Sequence, residues 1–159
     1  MLDKIRFPSL VVATFILVAY LSAPACAEET EHHEEFHPNF LAFFIGLTSE
    51  ERRESGLALG IEYEYRLNRS FGIGVLAEHT FGDVDTTVYA MPFAYHSGRW
   101  KVYVAPGIED GDLGNESLWR VGAEYAFEVG RWEVSPQLDI DFVDGDTALV
   151  LGVTIGKGF

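Results

Sequence analysis

One cysteine, Cys26, is present, and it lies in the first thirty residues. Once that segment is removed, the remaining chain has no disulfide, no thiolate nucleophile and no cysteine metal site. Basic residues are also scarce. Eleven Lys and Arg stand against 25 Asp and Glu, for a formal net charge of −14. A chain of that sign repels a phosphate backbone, so nucleic acid is not an expected partner. Long apolar runs are missing after residue 30, which excludes helical membrane spans of about 20 residues. It does not exclude a barrel, because barrel strands alternate and their mean hydropathy stays modest.

The start of the chain reads as an export signal. Lys4 and Arg6 precede an apolar run from Leu10 to Leu21, Pro24 breaks it, and Ala25-Cys26-Ala27 follows. A basic start, a short apolar stretch and a small-x-small site describe a secretory signal peptide. Cleavage is expected after Ala27. The alternative is lipidation at Cys26 after removal of Ala25, although Ala23 sits where a lipoprotein signal usually has Leu. The organisation is therefore residues 1–27 as signal peptide, 28–38 as an acidic, His-rich tail, and 39–159 as one domain; the exported part, about 130 residues, fits a single domain.

From Asn39 onward the dominant period is two, the signature of strands. Eight runs alternate, at about Asn39–Thr48, Leu57–Leu67, Phe71–Thr80, Thr87–Tyr95, Trp100–Gly107, Leu118–Val129, Trp132–Phe142 and Thr147–Phe159. In the second, Leu57, Leu59, Ile61, Tyr63 and Tyr65 take one face, and Ala58, Gly60, Glu62, Glu64 and Arg66 the other. Soluble strands average about five or six residues. Runs near ten match a tilted strand that crosses a membrane. Tight turns follow the second, fourth and sixth runs (Asn68-Arg69-Ser70, His96-Ser97-Gly98-Arg99, Gly130-Arg131), and mostly longer, acidic loops follow the first, third and fifth, such as Ser49–Gly56 and Glu109–Ser117. That asymmetry fits a barrel with periplasmic turns and external loops.

Aromatics collect at one level of the apolar face. Tyr65, Phe71, Tyr95, Trp100, Phe127, Trp132 and Phe159 all fall at the turn end, and Tyr89, Trp119 and Phe142 at the loop end. Amphipathic rings favour the membrane interface, so both sets read as girdles. The expected fold is all-β: an eight-stranded, antiparallel, up-and-down transmembrane β-barrel after a cleaved signal peptide.

On these strands and the terminal Phe159, residues 39–159 resemble the small outer-membrane β-barrels of the OmpA, OmpX and OmpW type. The resemblance implies the cell outer membrane, with lipid and lipopolysaccharide as partners. It implies recognition by the barrel assembly machinery through the C-terminal strand, with Phe159 as the signal and Lys157 where an apolar residue is usual. A monomer without cofactor is expected. The fold hosts adhesion and structural proteins, small pores and a few lipid-modifying enzymes, and does not select among them. The expected role is structural, interaction or minor transport through a narrow pore. The alternatives are an outer-membrane lipid-modifying enzyme and a soluble secreted ligand-binding barrel.

If the apolar face meets lipid, the other face fills the lumen with a charge network: Glu62, Glu64, Arg66, Lys101, Arg120, Glu124, Glu128, Glu133, Asp139 and Asp141, with Glu78, Tyr103 and Gln137. Unpaired buried charge is costly. Arg120 is expected to meet Asp139 and Asp141, and Lys101 to meet Glu128. The network is either a narrow cation-favouring pore or a polar plug. Outside it, His32, His33 and His37 are the candidate metal ligands of the tail, against a solvated tail as the plain alternative. Asp110-Gly111-Asp112 and Asp144-Gly145-Asp146 are candidate calcium loops, against ordinary turn chemistry. For an enzyme, His79 beside Glu78 is the better-placed base, and His96-Ser97 the adjacent His–Ser pair.

Overall fold

A computed structural model describes residues 36–50, 55–82, 84–111 and 114–159. The signal peptide, most of the tail, His32 and His33 lie outside the described residues. The strands are β1 (Asn39–Glu50), β2 (Ser55–Arg66), β3 (Phe71–Gly82), β4 (Thr86–Ala90), β5 (Phe93–Ser97), β6 (Trp100–Gly111), β7 (Gly114–Tyr125), β8 (Phe127–Val129), β9 (Trp132–Val143) and β10 (Asp146–Gly158). Each pairs antiparallel with its neighbours, and β10 returns to β1 from Phe40↔Gly158 to Glu50↔Ala148. The sheet is closed.

The ten segments make eight barrel strands. β4 and β5 are halves of the fourth, and β7 and β8 of the sixth. Register is continuous across both breaks: β3 pairs Leu76 with Ala90 and Ile73 with Phe93, and β9 pairs Gln137 with Glu124 and Val134 with Phe127. Neither break flips a face. Proline explains both, since it has no N–H to give the ladder. The first break contains Pro92, with Pro106 on the neighbouring strand accepting from the Met91 N–H at 2.9 Å. The second lies across from Pro136. Pairing of β9 with β10 runs unbroken through Pro136, so the missing donor falls on the β7–β8 side.

Burial alternates along every barrel strand, with the apolar residues outside. Leu59, Val121, Leu138, Ile140 and Val153 are exposed around the circumference, while Glu62, Glu124, Asp139 and Asp141 are buried. A water-soluble protein rarely exposes a continuous apolar surface of this extent. The outside is that of a membrane barrel.

The loop end departs from the sequence expectation. Strands run on where loops are expected: β6 and β7 stay paired through Glu109↔Glu116 to Gly111↔Gly114, and β1 and β2 through Ser49↔Ser55. The β9–β10 connection is the two-residue turn Asp144-Gly145, both with positive φ, at 40° and 95°. That is the backbone of a tight hairpin turn. The alternating polar residues of these segments continue the ladder past the girdle.

Candidate functional site

Inward side chains fill the barrel from two sides. On the β1 side, Phe40 and Phe44 lie where Gly152 and Gly156 leave room, because a β-carbon at either glycine would overlap a ring. The Arg66 guanidinium stands 4.8 Å from the centre of the Phe40 ring, a cation–π contact. The opposite side is charged and built in two tiers.

The loop-side tier centres on Arg120, whose side chain is 1% exposed. Its Nε and Nη2 donate to Asp141 at 2.7 Å each, and Nη1 and Nη2 to Glu78 at 3.1 and 2.9 Å. Asp139 Oδ2 lies 3.8 Å away. Two bidentate pairs use the planar fork as only arginine can. Tyr103 donates to Asp139 at 2.6 Å, and Gln137 donates to Asp139 at 2.6 Å and to the Tyr103 hydroxyl at 3.0 Å. Thr154 donates in turn to Gln137. Phe44, Gly60, Leu76, Glu62, Glu78, Arg120 and Gln137 line a cavity of about 10 Å³, room for about one water.

The turn-side tier centres on Lys101. Its Nζ lies 2.6 Å from Glu62, 2.9 Å from Glu124 and 3.4 Å from Glu64. Glu64 also meets the His96 imidazole at 2.7 Å, and Arg66 bridges Glu64 and Glu133 at 3.7 and 3.9 Å. Six buried carboxylates (Glu62, Glu64, Glu78, Glu124, Asp139, Asp141) thus share two buried cations.

The structure therefore places Glu62, Glu64, Lys101, Arg120, Glu124, Asp139 and Asp141 together inside, with Arg66 and Glu133 at the turn-side mouth. Glu128 is the exception. It lies exposed on β8, and the expected contact with Lys101 is replaced by Glu124, which register sets directly opposite Lys101. Contacts across the lumen, from Lys101 to Glu62 and from Arg120 to Glu78, were not legible, since no sequence spacing reports which distant strands converge.

The other candidates separate. Glu78 faces inward to Arg120, while His79 faces out. His79 Nδ1 shares a hydrogen bond with Thr87 Oγ1 at 2.9 Å across the β3–β4 pair, and Asp85 lies 3.7 Å from Nε2. Glu78 and His79 therefore serve opposite sides of the wall. His37 is exposed beside Gly158. Among the described residues, no group of three or more His, Cys, Asp or Glu is arranged to hold a metal ion. Phe159 is exposed and exchanges backbone hydrogen bonds with Asn39 at 2.9 and 3.3 Å.

Parts of the girdle are in ring contact on the outer surface. Phe71 and Tyr95 rings stand 5.4 Å apart, Trp100 and Tyr125 5.0 Å, and Tyr125 and Phe127 5.0 Å.

No family model and no curated protein matches the chain. Solved structures do. The N-terminal β-barrel domain of Pseudomonas aeruginosa OprF is matched with a TM-score of 0.56 at 13% identity, over 79% of this chain and 100% of that one. Neisserial surface protein A is matched with a TM-score of 0.55 at 11% identity, over 76% and 96%. A de novo designed transmembrane β-barrel is matched with a TM-score of 0.52 at 9% identity, over 77% and 98%. At these identities the likeness is one of fold. This chain has the fold of the small eight-stranded outer-membrane β-barrels.

Proposed function

We propose that the protein is an integral outer-membrane barrel whose lumen is plugged, and that it acts through its walls and rims in a structural or interaction role. Lipid and lipopolysaccharide surround it, and its last strand, ending in Phe159, is the segment offered to the assembly machinery. One observation carries the closed reading: two tiers of ion pairs cross the lumen, Arg120 to Glu78 and Lys101 to Glu62, with aromatic rings packed beside them. An eight-stranded barrel is about as wide as its own side chains. Passing an ion would require breaking these buried pairs and leaving their charges without counter-ions. The test is conductance of refolded protein in a planar bilayer, with a Lys101 substitution as a second sample. Silent traces are expected from the wild type. A steady, ion-selective unitary current from the wild type would establish the narrow pore instead.

A further inference from the structure

The basic residues outside the lumen are arranged in a pattern. Gly98-Arg99-Trp100 and Gly130-Arg131-Trp132 are the same triplet, used twice. Each is a two-residue turn followed by the first residue of a strand, with Ser97↔Trp100 and Val129↔Trp132 closing the hairpins. Gly98 and Gly130 carry φ of 59° and 65°, a conformation that favours glycine. The third turn differs in sequence but repeats the outcome. Asn68 Oδ1 accepts from the Ser70 and Phe71 N–H groups at 2.8 and 2.9 Å, which fixes Arg69 just before the outward ring of Phe71. Every turn at this end of the barrel thus presents one exposed arginine close to a girdle aromatic. Lys157 on β10 supplies a fourth cation on the outer face.

Position around the barrel matters more than number. The four cations fall between β2 and β3, β5 and β6, β8 and β9, and on β10 next to the β1 seam. They recur at about every second barrel strand, so they form a ring and not a patch. A protein partner docking from one side would use an arc of that ring. A bilayer leaflet meets all of it. Among the described residues the opposite rim is acidic: Glu50, Asp85, Glu109, Asp110, Glu116, Asp144 and Asp146 lie there without a Lys or Arg. Glu128 and Glu133 are the acidic residues at the turn end.

We infer that the turn-end ring binds the headgroup phosphates of anionic phospholipid in the leaflet it faces. This rests on the membrane-barrel reading above. A guanidinium matches phosphate bidentately, and an adjacent interfacial tryptophan holds it at headgroup depth.

The tryptophans supply the measurement. Trp100 and Trp132 adjoin Arg99 and Arg131, and Trp119 is at the loop end. The refolded protein carrying Trp119→Phe is placed in vesicles of phosphatidylcholine and phosphatidylglycerol, with bromine on the upper acyl chain of one lipid at a time. Quenching of Trp100 and Trp132 then gives the relative occupancy of the two lipids. Phosphatidylglycerol should be preferred about fivefold per engaged arginine at low salt, and the preference should shrink at high salt. The R69Q/R99Q/R131Q variant, with folding checked by circular dichroism, should bring the ratio close to one. Equal quenching by both lipids in the wild type would overturn the inference, as would an unchanged preference in the triple variant. Residues 28–35, with five glutamates, precede β1 in the sequence; occupation of the arginines by that segment would also give equal quenching and defeat the lipid assignment. Absence of quenching by either lipid would instead defeat the membrane reading.

Discussion

Arg120 holds Glu78 and Asp141 through both edges of its guanidinium, with Asp139 alongside, all out of reach of solvent. Removing one partner of such a set leaves the others charged and unpaired, which costs about 3–5 kcal/mol, whereas replacing the whole set with neutral groups costs far less. Arg120→Met should therefore lower unfolding free energy by about 3–5 kcal/mol in urea titrations of the lipid-embedded protein. Adding Glu78→Gln and Asp141→Asn should recover much of that loss. A triple variant no more stable than the single one would mean that the network is not energetically coupled. Gly156 makes the complementary case on the aromatic side. A β-carbon there meets the Phe40 ring and Ala42 and no main-chain atom among its nearest neighbours. Gly156→Ala should cost about 1–3 kcal/mol by overpacking, and Phe40→Leu in the same chain should relieve part of it by the same titration.

Along each strand, side chains alternate between lipid and lumen, and cost depends on depth. On β9, Leu138 lies between the girdle residues Trp132 and Phe142 and faces out. Leu138→Arg should destabilise by about 2–4 kcal/mol, and Val129→Arg, level with Trp132 in the turn-end girdle, by about 0–1 kcal/mol. Equal penalties at the two positions would contradict a bilayer around the barrel. This is also the scale at which the sequence was most legible. Period two assigns every residue to a face without any knowledge of partners, so Leu59 and Glu62 fall on the correct sides from spacing alone. Strand ends were less legible. Glu109, Asp110 and Glu116 read as loop because they are acidic, yet acidic residues pair as strand once the ladder has left the lipid. The breaks at Pro92 and opposite Pro136 were hidden for another reason. Proline removes a hydrogen bond without shifting register, so the alternation on either side continues unbroken. Pairing across the lumen lay further out of reach: Lys101 meets Glu62 and Glu64 because closure brings β2 to face β6, and closure is a property of the whole sheet.

Closure is also what the molecule as a whole depends on. An open sheet of this length would expose two rows of unpaired N–H and C=O groups to hydrocarbon, each costing several kcal/mol. Here the first and last strands supply each other's partners from Phe40↔Gly158 to Glu50↔Ala148, and the main chains of Asn39 and Phe159 complete the seam. The β1–β10 seam should therefore be as protected as the local β1–β2 hairpin, although its partners lie 98 to 118 positions apart. Hydrogen exchange of the lipid-embedded protein checks this. Amides of Phe43, Ile45 and Val153, which point across the seam, should exchange as slowly as those of Gly60 and Glu62, which point from β2 to β1. Fast exchange along the whole of β10, with β2 and β3 protected, would describe a sheet with two free edges. The ion-pair tiers could not then form, since Arg120 reaches Glu78 only across a lumen that the seam encloses.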